Sequence, residues 1–123
     1  MNADEFRQCA EETYAALPEH FLQAIHNVAV ITEDEPAEDV LRQMDCEHGD
    51  LLGLYQGWPL PERGISYGGS LPDMIYLYRL PILAYCAANG EDVRHCIRHV
   101  MVHEIGHYFG FSDEEMEAIE CQP

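Results

Sequence analysis

Residues 95–113 read HCIRHVMVHEIGHYFGFSD and place a histidine at every fourth position: His95, His99, His103 and His107. The spacing belongs to a longer pattern, EDVRHCIRHVMVHEIGHYFG, which predicts the longest helix of the chain, ending at Gly110, a residue suited to the left-handed turn past a helix end. At about 100° per residue, the four histidines fall near 0°, 40°, 80° and 120° on a helical wheel. Ile97, Met101, Ile105 and Tyr108 gather on the other side, extended by Val102 and Phe109. A fold built around this helix buries one face and carries a row of metal-binding side chains on the opposite one.

One ion cannot use all four. His95 and His107 stand roughly 18 Å apart along the axis, whereas neighbours on the stripe, about 6 Å apart, can share a zinc ion held by bonds of about 2.0–2.1 Å. Three pairs compete: 95/99, 99/103 and 103/107. In HEIGH, residues 103–107, Glu104 follows the first histidine and is rotated off the stripe, beside a metal rather than on it, where it can accept a proton from activated water. The equivalent position holds Val100 in the 99/103 pair and Cys96 in the 95/99 pair, and neither is a carboxylate. Beyond His107, Gly110 lets the chain turn back and Asp113 offers a third ligand, completing HExxHxxGxxD. Asp113 also suits the first turn of a following helix, where the dipole favours an acid, and Glu114 is its nearest substitute as ligand. His95 and His99 are read as supporting or surface residues, with an auxiliary metal site as the lesser alternative.

The rest of the chain supplies a small α+β domain spanning residues 1–123. ADEFRQCAEETYAAL is amphipathic at helical spacing, EHFLQAIHN adds a short helical piece, and AEDVLRQM a third. NVAVIT reads as a strand ending near Thr32, and LLGLYQGWPL as another, broken by Gly57 and Pro59. DMIYLYRLPI is a third strand, with Pro81 ending it or marking a sheet edge. ILAYCAANG turns into helix before its glycine. Ser112 with Glu115 forms a capping-box pattern that opens a final helix, SDEEMEAIE. The expected fold class is α+β, a small mixed sheet of three or four strands packed with helices, the metal-binding helix near the C-terminus. Between Gly57 and Asp73, a loop rich in glycine and proline has the length of a functional element.

Charge narrows the partners. Twenty-three acidic residues face six arginines and no lysine, for a net charge of −17. Such a surface repels phosphate backbones and anionic membranes, so neither nucleic acid nor membrane is expected as a partner. No stretch reaches the length of a membrane span, and MNADEFRQCAEE lacks the basic head and apolar run of an export signal, so a cytoplasmic protein is expected. Cys9, Cys46, Cys86, Cys96 and Cys121 form no CxxC pair and read as free thiols.

With HVMVHEIGHYFGFSD, and with NVAVITEDEP, LLGLYQGWPLPERG and LPDMIYLYRLPIL upstream, the chain resembles the minimal zincins, small bacterial proteins of the zincin metallopeptidase type. The resemblance spans roughly residues 20–118 and implies one zinc ion held by His103, His107 and Asp113, with Glu104 as general base. It departs from the larger metzincins in its aspartate third ligand and in the ten residues that follow it, too few for their methionine-turn subdomain, so Met116 is not that methionine. The expected activity is zinc-dependent hydrolysis of peptide or amide bonds. A peptide or protein substrate would pair with a sheet edge at DMIYLYRL, and Tyr67, Tyr76 or Tyr78 would serve as oxyanion donor if not simply packed. The alternative is a non-catalytic, zinc-stabilised interaction module. A related HGxxHxxGxxH pattern occurs in metal-dependent endoribonucleases, but Glu104, Asp113 and the acidic surface disfavour RNA.

Overall fold

The computed structural model describes residues 1–24, 28–47, 49–57 and 73–120, less the side chains of His20, Phe21, Ala24, Asp113 and Glu120. Along the chain run α1 (Ala3–Ala15), α2 (Glu19–Ala24), β1 (Val28–Glu33), α3 (Glu38–Gln43), β2 (Gly53–Gln56), β3 (Asp73–Tyr78), α4 (Arg79–Asn89), α5 (Val93–Phe109) and α6 (Asp113–Glu120). Most of the loop between Gly57 and Asp73, including Tyr67, lies outside the described residues.

The three strands form one mixed sheet in the order β1-β3-β2, with β1 parallel and β2 antiparallel to β3. This is the α+β class expected from the sequence. The central place of β3 corrects the sequence reading of DMIYLYRLPI as a sheet edge. Pro81 does not mark an edge, because the strand has ended at Tyr78 and the proline occupies the first turn of α4, where a missing N–H costs no helical hydrogen bond. Asp34, just past β1, pins this strand-to-helix corner. Its carbonyl accepts the Leu80 N–H at 3.0 Å and its carboxylate accepts Arg79 Nε at 2.8 Å.

Register decides what faces the long helix. Gly53 pairs with Leu77 and Tyr55 with Ile75, and residues directly opposite share a face. Ile75 and Leu77 are fully buried in the same apolar cluster as Ile97, Met101 and Ile105 of α5, with Phe6, Cys9 and Ala10 of α1 and Met116 and Ile119 of α6 around them. Tyr76 and Tyr78 therefore project from the opposite face of the sheet.

Helix α5 follows its periodicity, with one correction. Ile97, Met101, Val102 and Ile105 are buried, but Tyr108 and Phe109 are 48% and 37% exposed and are not core. They pack on Tyr55 of β2 while staying partly open to solvent, with Tyr55–Tyr108 centroids 4.2 Å apart and Phe109 edge-on at 5.7 Å. Asp92 caps the N-terminus by accepting the His95 N–H at 3.0 Å.

Candidate metal centre

The turn after α5 sets where a third ligand can stand. Gly110 adopts φ +75°, the Phe111 N–H reaches back to the Gly106 carbonyl at 2.8 Å, and the Gly110 N–H reaches the His107 carbonyl at 3.2 Å. These are the paired bonds of a Schellman turn, and they reverse the chain immediately beyond the last histidine. Ser112 and Glu115 then exchange the two capping-box bonds, at 3.0 and 3.1 Å, as their spacing predicts. Asp113 is thereby the first residue of α6, one short turn from His107. Its side chain, assigned by the motif as third ligand, lies outside the described residues, and no group of three His, Cys, Asp or Glu side chains gathers among those described.

The histidines stand as the wheel requires. His103 is half-buried and His107 exposed, with ring centroids 5.7 Å apart and planes at 82°. Two imidazoles so disposed can each offer a nitrogen to one ion, and that donor set suits zinc or another borderline cation. The His99 and His103 rings are closer still, at 4.2 Å, so ring separation does not by itself select a pair. His95 is largely exposed, 3.7 Å from Glu91.

Glu104 separates the pairs. Its carboxyl is largely buried, and burial raises its pKa above the ordinary carboxylate value; His107, a hydrogen bond from the Tyr55 backbone N–H, and His103 all act in the opposite sense. The carboxylate thus lies within the electrostatic reach of both histidines of HEIGH and near strand β2. The Tyr78 N–H donates to the Leu52 carbonyl at 3.0 Å, so the antiparallel alternation turns the backbone groups of Gly53 and Tyr55 off the outer edge of β2.

This approach of helix to strand requires Gly53. A Cβ at Gly53 would stand 2.6 Å from Val100 Cγ1 and 2.9 Å from the Tyr76 carbonyl oxygen, closer than packed atoms come. Tyr108 likewise lies against Gly57. The glycines at both ends of GLYQG are the sequence signal that a helix comes down on this strand. Tyr55 between them is a site residue that sequence reasoning passed over, as is Asp73. The Tyr55 hydroxyl donates to Asp73 Oδ2 at 2.6 Å, and Asp73 is only 3% exposed.

The packing reading of Tyr76 and Tyr78 holds, and one expectation falls. Tyr76 and Tyr78 cannot stabilise an oxyanion at this centre, because they leave the far face of the sheet; Tyr78 is buried, its phenol pushed up to about 12 mainly by desolvation. A peptide cannot pair with DMIYLYRL, because both edges of β3 are already taken by β1 and β2. The thiols of Cys9, Cys46, Cys86 and Cys96 are free, as expected, and Cys121 lies outside the described residues. No helix among the described residues is long and apolar enough to cross a membrane.

A family model described as zincin-like metallopeptidase matches residues 25–122. No curated protein matches the chain. Among solved structures, a conserved hypothetical protein from Thermus thermophilus is similar in fold, with a TM-score of 0.54 and 24% sequence identity over 89% of this chain and 94% of that one.

Proposed function

Since this chain belongs to the zincin-like metallopeptidase family, we propose that it is a zinc-dependent hydrolase of peptide or amide bonds, with Glu104 as its general base. The observation that carries this reading is the placement of Glu104: half-buried on α5 directly after His103, with His107 and His103 acting on its carboxyl. His103, His107 and Asp113 would hold one zinc ion, which when bound polarises a carbonyl and makes water more acidic. Glu104 accepts the proton of the attacking water on its carboxylate and returns it to the leaving nitrogen. Desolvation suits it to both tasks, because a carboxyl with a raised pKa holds a proton long enough to deliver it.

The rival reading, a zinc-stabilised module without activity, assigns the metal the task of tying α6 to the fold. That helix has apolar anchors of its own. Met116 is 1% exposed and packs against Gly106, Ile119 is 3% exposed, and Arg98 donates to the Ile119 carbonyl at 2.6 Å. A half-buried carboxylate beside the histidines has no use in such a module and costs stability.

The test is zinc-loaded protein against a peptide library, wild type beside Glu104→Ala. Loss of the base should lower turnover by about 10²–10⁴-fold with zinc still bound. Equal cleavage by the two proteins would rule the mechanism out.

A further inference from the structure

We propose that Tyr55 is a positioning residue for His107: fixed within the sheet by Asp73, it seats the last turn of α5 through Tyr108 and Phe109. The inference takes from the proposed function only that His107 is a metal ligand.

The last turn of α5 has little burial to hold it. Buried positions along the helix end at Gly106, and His107, Tyr108, Phe109 and Gly110 are all exposed. The final carbonyls of a helix have no partner within it, so its end frays unless other contacts hold it. His103, one turn earlier, is half-buried and lies between the buried Val102 and Ile105. The pair in HEIGH therefore has one histidine on the packed part of the helix and one on its exposed end.

Tyr55 supplies the missing contact. Its ring lies 4.2 Å from that of Tyr108, tilted by 32°, and 5.7 Å from that of Phe109, which meets it edge-on. Tyr108 and Phe109 also meet edge-on, at 5.2 Å, so the three rings form one cluster in the tilted and T-shaped geometries that aromatic pairs prefer. Among the described residues, Tyr55 is the sheet residue whose ring meets this turn. Tyr55 is itself anchored. It is buried, and its hydroxyl donates to Asp73 Oδ2 at 2.6 Å, a short, charge-assisted bond from β2 to the central strand. Asp73 lies diagonally across the ladder, two residues before Ile75, the partner of Tyr55, within the reach of a long aromatic side chain. The path thus runs from the Asp73 carboxylate through the Tyr55 hydroxyl and ring to Tyr108 and Phe109, and along one turn of backbone to His107. A phenylalanine at position 55 would keep the ring contacts and lose the anchor.

The experiment compares wild type, Tyr108→Ala, Tyr55→Phe and Asp73→Asn by two readouts. One is zinc affinity, from competition with a chromophoric chelator; the other is amide exchange at Phe109 and Gly110 in the metal-free protein. Tyr108 is 48% exposed, so Tyr108→Ala removes a ring contact without opening the core. It should weaken zinc binding about tenfold, at the low end for residues that support metal ligands. Exchange at Phe109 and Gly110 should quicken while Met101 and Val102 keep their protection. Tyr55→Phe should move both readouts the same way by less, and Asp73→Asn, whose side-chain oxygen still accepts the hydroxyl proton, by less again. Ile82→Val, a buried change in α4, controls for lost stability alone and should leave zinc affinity as in the wild type. If Tyr108→Ala and Tyr55→Phe bind zinc as tightly as wild type, or if faster exchange extends equally to Met101 and Val102, the proposal is overturned. A wild type that cleaves no peptide overturns the hydrolase reading alone, because neither readout needs turnover. Zinc binding undiminished in His107→Ala would remove His107 from the ligand set and this inference with it.

Discussion

Glu104 pays for its position. Burial raises its pKa more than His107, the Tyr55 N–H and His103 lower it, so the folded state binds this proton more tightly than the unfolded chain does. The ionised carboxylate therefore destabilises the metal-free fold above the raised folded value, and the penalty disappears as pH falls below the ordinary carboxylate value, where both states are protonated. Metal-free Glu104→Gln, which keeps an acceptor for the Tyr55 N–H, should accordingly melt higher than wild type at pH 7. The two proteins should converge on acidification to about pH 4, as followed by circular dichroism. A wild type as stable as the variant at pH 7 would mean that the carboxyl is better solvated than its burial implies. The same residue was legible in the sequence as a base because it follows His103 in HEIGH. Its nearness to β2 was not, because Tyr55 is 49 positions away in sequence and comes near it only through packing.

Among the elements, α5 and the turn into α6 were the most legible. A 3.6-residue period, Gly110 at the end and Ser112 with Glu115 are local signals, and local backbone bonds execute all of them. The capping box has a consequence for the metal, because the helix it opens begins with Asp113. Ser112→Ala should cost about 1 kcal/mol of stability and also weaken zinc binding, measured by competition with a chromophoric chelator. Lost stability with unchanged zinc affinity would remove Asp113 from the ligand set. Less legible were the far end of α5 and the order of the strands. Tyr108 and Phe109 continue the apolar stripe on a wheel, but a wheel does not show that they meet a single strand residue, Tyr55, and keep their other sides in solvent. Pro81 resembled an edge signal because a proline three residues past a strand and one in the first turn of a helix look alike in sequence.

At the scale of the molecule, 23 acids against six arginines leave the fold under self-repulsion, which compactness intensifies. Added salt shortens the range of that repulsion to about 3 Å at 1 M. The thermal midpoint of the metal-free protein should therefore rise between about 10 mM and 0.5 M sodium chloride; a fall would show that attractive pairs such as Arg79–Asp34 outweigh the net charge. The amino-acid sequence by itself determined the α+β class, the extent of the long helix, the choice of Glu104 among competing neighbours and the turn that sets Asp113, since each depends on residues within a few positions of one another. Only the tertiary structure decided that β3 is central, that Tyr76 and Tyr78 leave the wrong face, and that Tyr55 bonds to Asp73 and packs against Tyr108 and Phe109. Strand order and helix-to-strand approach are settled by which apolar faces can be buried together, and no local spacing carries that information.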